Sequence, residues 1–250
     1  MEIAPLTGNI GAEVKKLQLA DLNDEKFADV AQALWAHQVL VFRDQQMKVE
    51  DHIAFGQRFG ELHTHPAFPG VDGHAEVLPI SNRGKDKTIT EVWHSDVSCD
   101  TQPPSISILR AIELPPYGGD TIWASQYAAL QNLSPALRQM IEPLRAVHKN
   151  FDMEAVHPVI RTHPETKKKA LYVNRGFTSH FEGMTAKESK PLIDYLISVG
   201  SQLDLTMRHS WKQGDVVMWD NRCVMHFAIH DYGDAKRDMQ RVTVRGERPR

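Results

Sequence analysis

Hydrophobic residues near the start of the chain change from a helical spacing to a strand-like run. Between residues 24 and 38 apolar side chains recur at i, i+3, i+4, i+7 and i+8, which predicts an amphipathic helix. These side chains are Phe27, Val30, Ala31, Leu34 and Trp35. The next four residues, 39–42, are all apolar, which is typical of a short buried strand. A second helical pattern over 48–59 stops at Gly60, a residue type common just after a helix.

Capping residues predict two further helices. Ser134 followed by Pro135 has the order expected of an N-cap and a first helical position. Thr185 and Glu188 have capping-box spacing before an apolar face that ends at Gly200. Pro191 lies within this last segment, so we expect the helix to begin later or to be kinked.

Most remaining apolar runs are short and separated by turn residues, which favours a sandwich or barrel over a parallel α/β sheet. The predicted strands are 105–112, 145–149, 170–174, 205–211, 215–219, 223–228 and 240–246. Residues 64–92 have no periodic pattern and predict a long loop that covers a functional site. No internal repeat or linker is visible, so one mainly β, α+β domain over residues 1–250 is the simplest interpretation.

Composition narrows the class of protein. The chain has 250 residues, 41% hydrophobic and 24% charged, with a formal net charge of −3. This charge gives no reason to expect a nucleic-acid or membrane partner. The two cysteines, Cys99 and Cys223, do not suggest a disulfide framework, and residues 1–5 lack the features of a secretion signal. We therefore expect a cytoplasmic protein, and a homo-oligomer remains open.

The segment 91–96 carries the most chemical information. If it is a strand, His94 and Asp96 project to the same face, so an imidazole and a carboxylate can meet one metal ion. A third ligand must then come from a distant part of the chain, and His226 is a candidate. Two histidines and one carboxylate are the arrangement of non-haem Fe(II) oxygenases. A His-x-Asp pair alone also fits a surface strand with two solvated polar residues, so neighbouring motifs must decide.

Three motifs in order resemble the TauD/TfdA family of 2-oxoglutarate dioxygenases, and the likeness extends from residues 11–14 to the C-terminal arginines. They are Trp93-His94-Ser95-Asp96, Gly118-Gly119-Asp120-Thr121 and Trp219-Asp220-Asn221-Arg222 with His226. The likeness is greatest to the taurine-type members. It implies a double-stranded β-helix (jelly roll) core with flanking helices and Fe(II) bound by His94, Asp96 and His226. It also implies 2-oxoglutarate as cosubstrate and O₂ as oxidant.

The resemblance also implies roles for individual residues. Arg237 and Thr121 match the positions that bind the distal carboxylate of 2-oxoglutarate. The implied substrate-binding residues are His65, Arg241, Thr90 and Phe177. Residues 237 and 241 point to the same side of an extended strand, so both arginines can reach one cavity.

The expected reaction is hydroxylation of a small acidic substrate, coupled to decarboxylation of 2-oxoglutarate to succinate. A taurine-like alkylsulfonate, with release of sulfite, is the first expectation. An aryloxyalkanoate or another small carboxylate is the alternative, because Thr90, Cys99 and a segment missing after Phe151 depart from the taurine-type pattern. A jelly-roll metal-binding protein without oxygenase activity is the non-enzymatic alternative.

Overall fold

Two packed β-sheets with helices on their outer sides form the centre of the protein. The computed structural model describes residues 1–64, 70–82 and 89–250. The α-helices in these ranges are Asp24–His37 (α1), Val49–Gln57 (α2), Gln126–Asn132 (α3), Pro135–Ile141 (α4) and Ala186–Gly200 (α5). The strands are Glu2–Pro5 (β1), Ala12–Lys15 (β2), Val39–Phe42 (β3), Val77–Asn82 (β4), Ile106–Glu113 (β5), Thr121–Ser125 (β6), Arg145–Asn150 (β7), Met153–Pro158 (β8), Ile160–Thr162 (β9), Lys169–Leu171 (β10), Thr178–Phe181 (β11), Thr206–His209 (β12), Val216–Asp220 (β13), Val224–Ala228 (β14) and Arg237–Val244 (β15).

The larger sheet has the strand order β1-β2-β3-β13-β5-β15-β4, and the smaller one has the order β12-β6-β14. Two minor sheets, β11-β7-β8 and β10-β9, extend the fold on one side. Strands β2 and β3 are parallel, whereas the central pairs of β13, β5 and β15 are antiparallel. Strands distant in sequence therefore become neighbours, as a jelly roll requires.

Alternation along the strands of the large sheet separates two cores. Leu40 and Phe42 face α1 and α2, where the Phe42 ring contacts Phe55 with centroids 6.4 Å apart. Val39 and Val41 face the opposite way, into the core between the two sheets. Trp123 of the small sheet fills the centre of that core and packs against Trp219, with ring centroids 5.6 Å apart. This arrangement confirms the predicted jelly roll with flanking helices.

The predicted helices are confirmed, with one difference at α5. Hydrogen bonds between Thr185 and Glu188 complete a capping box, and they fix the start of the helix at Ala186. The helix therefore begins before Pro191, and the predicted later start is wrong. Among the described residues, no helix is long and apolar enough to span a membrane.

The prediction of a continuous loop over 64–92 is wrong in two places. Strand β4 pairs with β15 at the edge of the large sheet, and residues Ile89–Glu91 form a 3₁₀ turn. Pro79 obscures the strand signal, but an edge strand tolerates proline because one side of its backbone needs no partner. Residues 65–69 and 83–88 of the predicted loop lie outside the described residues.

Candidate metal centre and adjoining cavity

The two histidines of the predicted triad are cross-strand partners. Strand β14 holds His226 in the small sheet, and the segment before Asp96 forms an antiparallel bridge with it. The backbone N–H of His94 donates to His226 O at 3.0 Å, and the N–H of His226 donates to His94 O at 2.8 Å. The imidazole centroids are consequently only 4.0 Å apart.

Asp96 reaches the histidines from a turn, so positions 94 and 96 do not lie on one strand. The chain leaves the bridge after His94 and turns over residues 96–99, with Val97 at φ 44°. Asp96 Oδ1 nevertheless lies 3.7 Å from His94 Nε2 and 3.8 Å from His226 Nε2. The three side chains converge because the bridge aligns the two histidines and the turn after His94 brings Asp96 to them.

The donor set fits a single divalent metal ion. One ligand atom from each of His94, Asp96 and His226 lies within 4.8 Å of the others, and all three residues are buried. Bonds of ~2.0–2.2 Å, as found for imidazole nitrogen and carboxylate oxygen, place adjacent ligand atoms about 3 Å apart, so the side chains would draw together by less than ~1 Å around an ion. His94 Nδ1 lies 2.8 Å from Val92 O, so Nδ1 carries the proton and Nε2 keeps its lone pair for a metal. Nδ1 of His226 has no hydrogen-bond partner among the described residues.

The protonation states also suit metal binding. Burial lowers the pKa of His94, and burial together with the nearby His94 holds the pKa of His226 well below its ordinary value. Burial by itself would raise the pKa of Asp96, but Arg241, the two histidines and a hydrogen bond from Ser107 bring it well below the usual range. Neutral imidazoles and an ionised carboxylate are the forms that bind metals.

A cavity beside His226 brings together five of the predicted site residues: Thr90, Thr121, His226, Arg237 and Arg241. Its remaining lining is largely apolar and consists of Ile80, Leu109, Trp219 and Ala228. A mostly apolar cavity with a few converging polar groups is the usual form of a small-molecule site.

Arg237 is a buried cation in the lining of this cavity. It is 3% exposed, and within the described parts of the chain no carboxylate lies within ion-pair distance of it. Its Nε donates to Gly119 O at 3.1 Å, and burial lowers its pKa. Gly119 has φ 73°, and a Cβ there would lie 3.1 Å from Arg237 Cδ and Nε. The Gly-Gly turn thus allows the backbone to approach the arginine.

Arg241 is held in a different way. Its Nη1 donates to Asp96 Oδ1 at 2.7 Å, so the arginine binds the same oxygen that faces the histidines. Its Nε is buried and has no hydrogen-bond partner among the described residues. Sequence reasoning placed Arg241 in the cavity but did not foresee the pairing with Asp96.

Thr121 and Thr90 also line the cavity. The Thr121 oxygen accepts a hydrogen bond from Trp211 Nε1 at 3.0 Å, which leaves the hydroxyl proton to donate elsewhere. Thr90 lies in the 3₁₀ turn Ile89–Glu91.

Phe177 is buried but lies outside the lining of this cavity. Its N–H donates to Asn174 Oδ1 at 2.9 Å, and the preceding Gly176 packs against His94, where a Cβ would lie 3.0 Å from His94 Cβ. His65, the remaining predicted substrate residue, lies outside the described residues.

Two residues that contact the candidate metal ligand Asp96 were missed by sequence reasoning. Ser107 Oγ donates to Asp96 Oδ2 at 2.6 Å, and Asn221 Nδ2 donates to Ser107 Oγ at 2.8 Å. Ser107 is a polar residue within the apolar run 106–109, which is a signal of a buried polar contact. Asn221 belongs to a motif that was recognised without a role for this residue.

A second cluster, formed by His163, Asp220 and Cys223, is compact enough for a metal but is better explained as a structural network. Arg222 donates to both oxygens of Asp220 at 2.8 and 2.7 Å. His163 Nε2 adds a bond of 2.8 Å, and its Nδ1 accepts from two backbone N–H groups. The carboxylate is therefore saturated with protein donors.

Two histidines and a carboxylate that converge on a jelly roll, beside a cavity with two arginines, are the arrangement typical of non-haem iron oxygenases. The family model described as taurine catabolism dioxygenase TauD, TfdA family matches residues 2–243. The chain belongs to this family. It is a 2-oxoglutarate-dependent dioxygenase that uses Fe(II) and O₂, as the sequence predicted, and the alternative of a metal-binding protein without activity is wrong.

Relatives within the family are named for different substrates. The chain is 34% identical over 274 residues to an alkylsulfatase of Acinetobacter baylyi. This match covers 99% of the chain and 86% of the alkylsulfatase. The chain is 32% identical to an alpha-ketoglutarate-dependent 2,4-dichlorophenoxyacetate dioxygenase of a Burkholderia strain, covering 92% of this chain and 89% of the relative. A taurine dioxygenase structure from Burkholderia xenovorans superposes with a TM-score of 0.92 at 36% identity, covering 99% and 92% of the two chains.

Proposed function

We propose that this dioxygenase hydroxylates a small organic acid, most directly a taurine-like alkylsulfonate, with Fe(II) held by His94, Asp96 and His226. The observation that carries the proposal is the cavity that His226 of the triad shares with Arg237 and Arg241. An anionic cosubstrate and an acidic substrate are the ligands that such a cavity can neutralise. The chain 1–250 acts as one catalytic domain, because the small sheet supplies His226 and the large sheet supplies both arginines.

Each arginine is assigned one anionic partner. Arg237 binds the distal carboxylate of 2-oxoglutarate, because it is buried and has no ion pair within the described ranges. Thr121 supports the same carboxylate with its hydroxyl proton. Arg241 directs its unpartnered Nε toward the acid group of the substrate while Nη1 stays on Asp96.

The remaining residues arrange the reactants. Fe(II), when bound, supplies O₂ activation coupled to the conversion of 2-oxoglutarate to succinate and CO₂. The apolar cavity wall excludes water, and Trp219 packs against the His226 ring with centroids 4.8 Å apart, which restricts that ring. Hydroxylation of the carbon that bears a sulfonate gives an α-hydroxysulfonate, which breaks down to an aldehyde and sulfite.

Two other acids fit the same chemistry. A sulfate ester hydroxylated beside its oxygen would release sulfate, and an aryloxyalkanoate would release a phenol with a keto acid. The similarity to an alkylsulfatase and to a 2,4-dichlorophenoxyacetate dioxygenase supports these candidates as the second choice. We expect the protein to work in the cytoplasm, since its two buried cysteines, Cys99 and Cys223, are free.

A substrate panel tests the proposal. Purified protein with Fe(II), 2-oxoglutarate and O₂ is given alkylsulfonates, alkyl sulfate esters or aryloxyalkanoates, and succinate, sulfite, sulfate and phenol are measured. Sulfite formed in equal amount to succinate supports the sulfonate proposal, and a His94→Ala variant provides the control without activity. Turnover with an aryloxyalkanoate but with no sulfonate would overturn it.

A further inference from the structure

The two oxygens of the Asp96 carboxylate have different surroundings. Oδ1 faces His94, His226 and Arg241, with Arg241 Nη1 at 2.7 Å. Oδ2 is turned away from them and accepts the Ser107 hydroxyl at 2.6 Å. The carboxylate therefore presents one oxygen toward the metal position.

Ser107 is held in place by residues that lie behind it. Asn221 Nδ2 donates to Ser107 Oγ at 2.8 Å, and Asn221 Oδ1 accepts from Trp219 Nε1 at 2.9 Å. Trp219 and Ser107 are direct cross-strand partners on β13 and β5, and all three residues are at most 1% exposed.

The direction of these hydrogen bonds is fixed by chemistry. An indole N–H can only donate, so the Asn221 oxygen must face Trp219 and its amide N–H₂ must face Ser107. The Asp96 backbone N–H also donates to that Asn221 oxygen, at 3.3 Å. Because the serine oxygen accepts from the amide, the serine proton is directed to Asp96. Donors thus run in one direction from Trp219 through Asn221 and Ser107 to the carboxylate.

We propose that Ser107, supported by Asn221, is a positioning residue that makes Asp96 a ligand through Oδ1 alone. A hydrogen bond from a hydroxyl to a carboxylate is short and strong when both groups are buried. It prevents the carboxylate from rotating to offer both oxygens, which would occupy a coordination position that 2-oxoglutarate or O₂ needs. Hydrogen-bond partners of metal ligands commonly change metal affinity about 10- to 100-fold. The inference rests on the metal site of the proposed function.

The chain contains a matched control for this test. Ser105 is a buried serine two positions earlier in the sequence, and its Oγ donates to backbone carbonyls, with Arg245 O at 3.0 Å. Ser105→Ala therefore removes a buried hydroxyl and its hydrogen bond without touching Asp96. Ser107→Thr keeps the hydroxyl and favours an extended backbone.

The experiment is a titration of metal-free protein with Co(II), followed by tryptophan fluorescence, together with anaerobic Fe(II) and 2-oxoglutarate spectra. Ser107→Ala is expected to bind Co(II) about 10- to 100-fold more weakly and to alter the visible charge-transfer band. On a logarithmic scale, the Co(II) affinity of Ser107→Thr is expected to lie at least halfway from that of Ser107→Ala to that of the parent protein. The Co(II) affinity of Ser105→Ala is expected to stay within about threefold of the parent protein, since the Ser105 hydroxyl bonds only to the backbone carbonyls of Val244 and Arg245.

The outcomes separate this inference from the metal site itself. Unchanged Co(II) affinity and an unchanged spectrum in Ser107→Ala, or an equal loss in Ser105→Ala, would refute the role of Ser107 alone. Failure of the parent protein to bind Co(II), or binding that survives in His94→Ala, would refute the metal site and this inference with it. Thermal unfolding of each metal-free variant identifies any that is not folded, and in that case Asn221→Ala tests the same hydrogen bonds under the same criteria.

Discussion

Replacement of Arg237 by methionine is predicted to weaken 2-oxoglutarate binding and to stabilise the protein when 2-oxoglutarate is absent. Arg237 is 3% exposed, and its contacts include Gly119 O and the Trp211 ring, whose centroid is 6.0 Å from the guanidinium carbon. Burial lowers its pKa, so the charged form is disfavoured in the folded protein until an anion binds. Methionine has a similar length and carries no charge to desolvate.

The magnitude follows from the lost contact. Hydrogen bonds between ionised partners in a buried site contribute about 2–4 kcal/mol. At about 1.4 kcal/mol for each factor of ten, the dissociation constant of 2-oxoglutarate should rise roughly 30- to 700-fold. Removal of the uncompensated charge should raise the free energy of unfolding by an amount on the order of 1 kcal/mol, which is a rise of about 2–4 °C in Tm for a chain of this length.

Arg241→Met is the informative comparison, because its effect on stability should have the opposite sign. Arg241 pairs with the buried Asp96, and its removal leaves that carboxylate without its cation. Breaking a buried pair from one side costs about 3–5 kcal/mol. Arg245→Met is the surface control, since Arg245 is half exposed and its bridge to Glu61 should contribute less than about 1 kcal/mol.

Two assays test whether Arg237 binds 2-oxoglutarate. Chemical unfolding in the presence of a chelator gives the stabilities, and anaerobic titration of Fe(II)-loaded protein with 2-oxoglutarate gives the affinities. If Arg237→Met were destabilised as much as Arg241→Met, or if it bound 2-oxoglutarate within threefold of the parent protein, the assignment of Arg237 would be wrong.

Three further outcomes are expected. Thr121→Val should raise the 2-oxoglutarate KM about fivefold through loss of a contribution near 1 kcal/mol, and Thr121→Ser should not. Gly119→Ala places a side chain at φ 73° against Arg237 and should raise the same KM about tenfold, measured from succinate formation. The third concerns His52, whose pKa burial lowers to about 4. Since the unfolded histidine titrates near 6.5, its contribution is present above that pH and is lost as the pH falls to about 4, up to about 3 kcal/mol. Unfolding curves of His52→Leu between pH 7 and pH 4 should show a correspondingly smaller loss, and an identical pH dependence would contradict this account.

The sequence predicted the site best where the type of a residue and its spacing from another indicate the same role. The cavity contains both Arg237 and Arg241 because residues four apart on a strand share a face, as predicted. Ser107 could not be assigned because its partners, Asp96 and Asn221, come from other strands and turns. Contacts of this kind depend on which strands become neighbours, and local spacing carries no such information.

Local backbone geometry explains two other differences between the structure and the expectations from the sequence. His94 and Asp96 could have met one metal ion from a strand, but Val97 takes a positive φ and the chain turns. Strand β4 was hidden by Pro79, which is acceptable only because the strand lies at a sheet edge. Both cases depend on tertiary position, which overrides the local preference.

The net charge around the triad limits the charge that the substrate can carry. With His94 and His226 neutral, the two guanidinium groups of Arg237 and Arg241 exceed the single Asp96 carboxylate by one positive charge. A divalent metal raises this excess to three, and 2-oxoglutarate brings two negative charges. One negative charge then remains to be supplied, and a buried site of low dielectric strongly favours neutrality. A sulfonate, a sulfate ester and a carboxylate each provide that single charge, whereas an uncharged or cationic substrate would leave the positive charge of the site uncompensated.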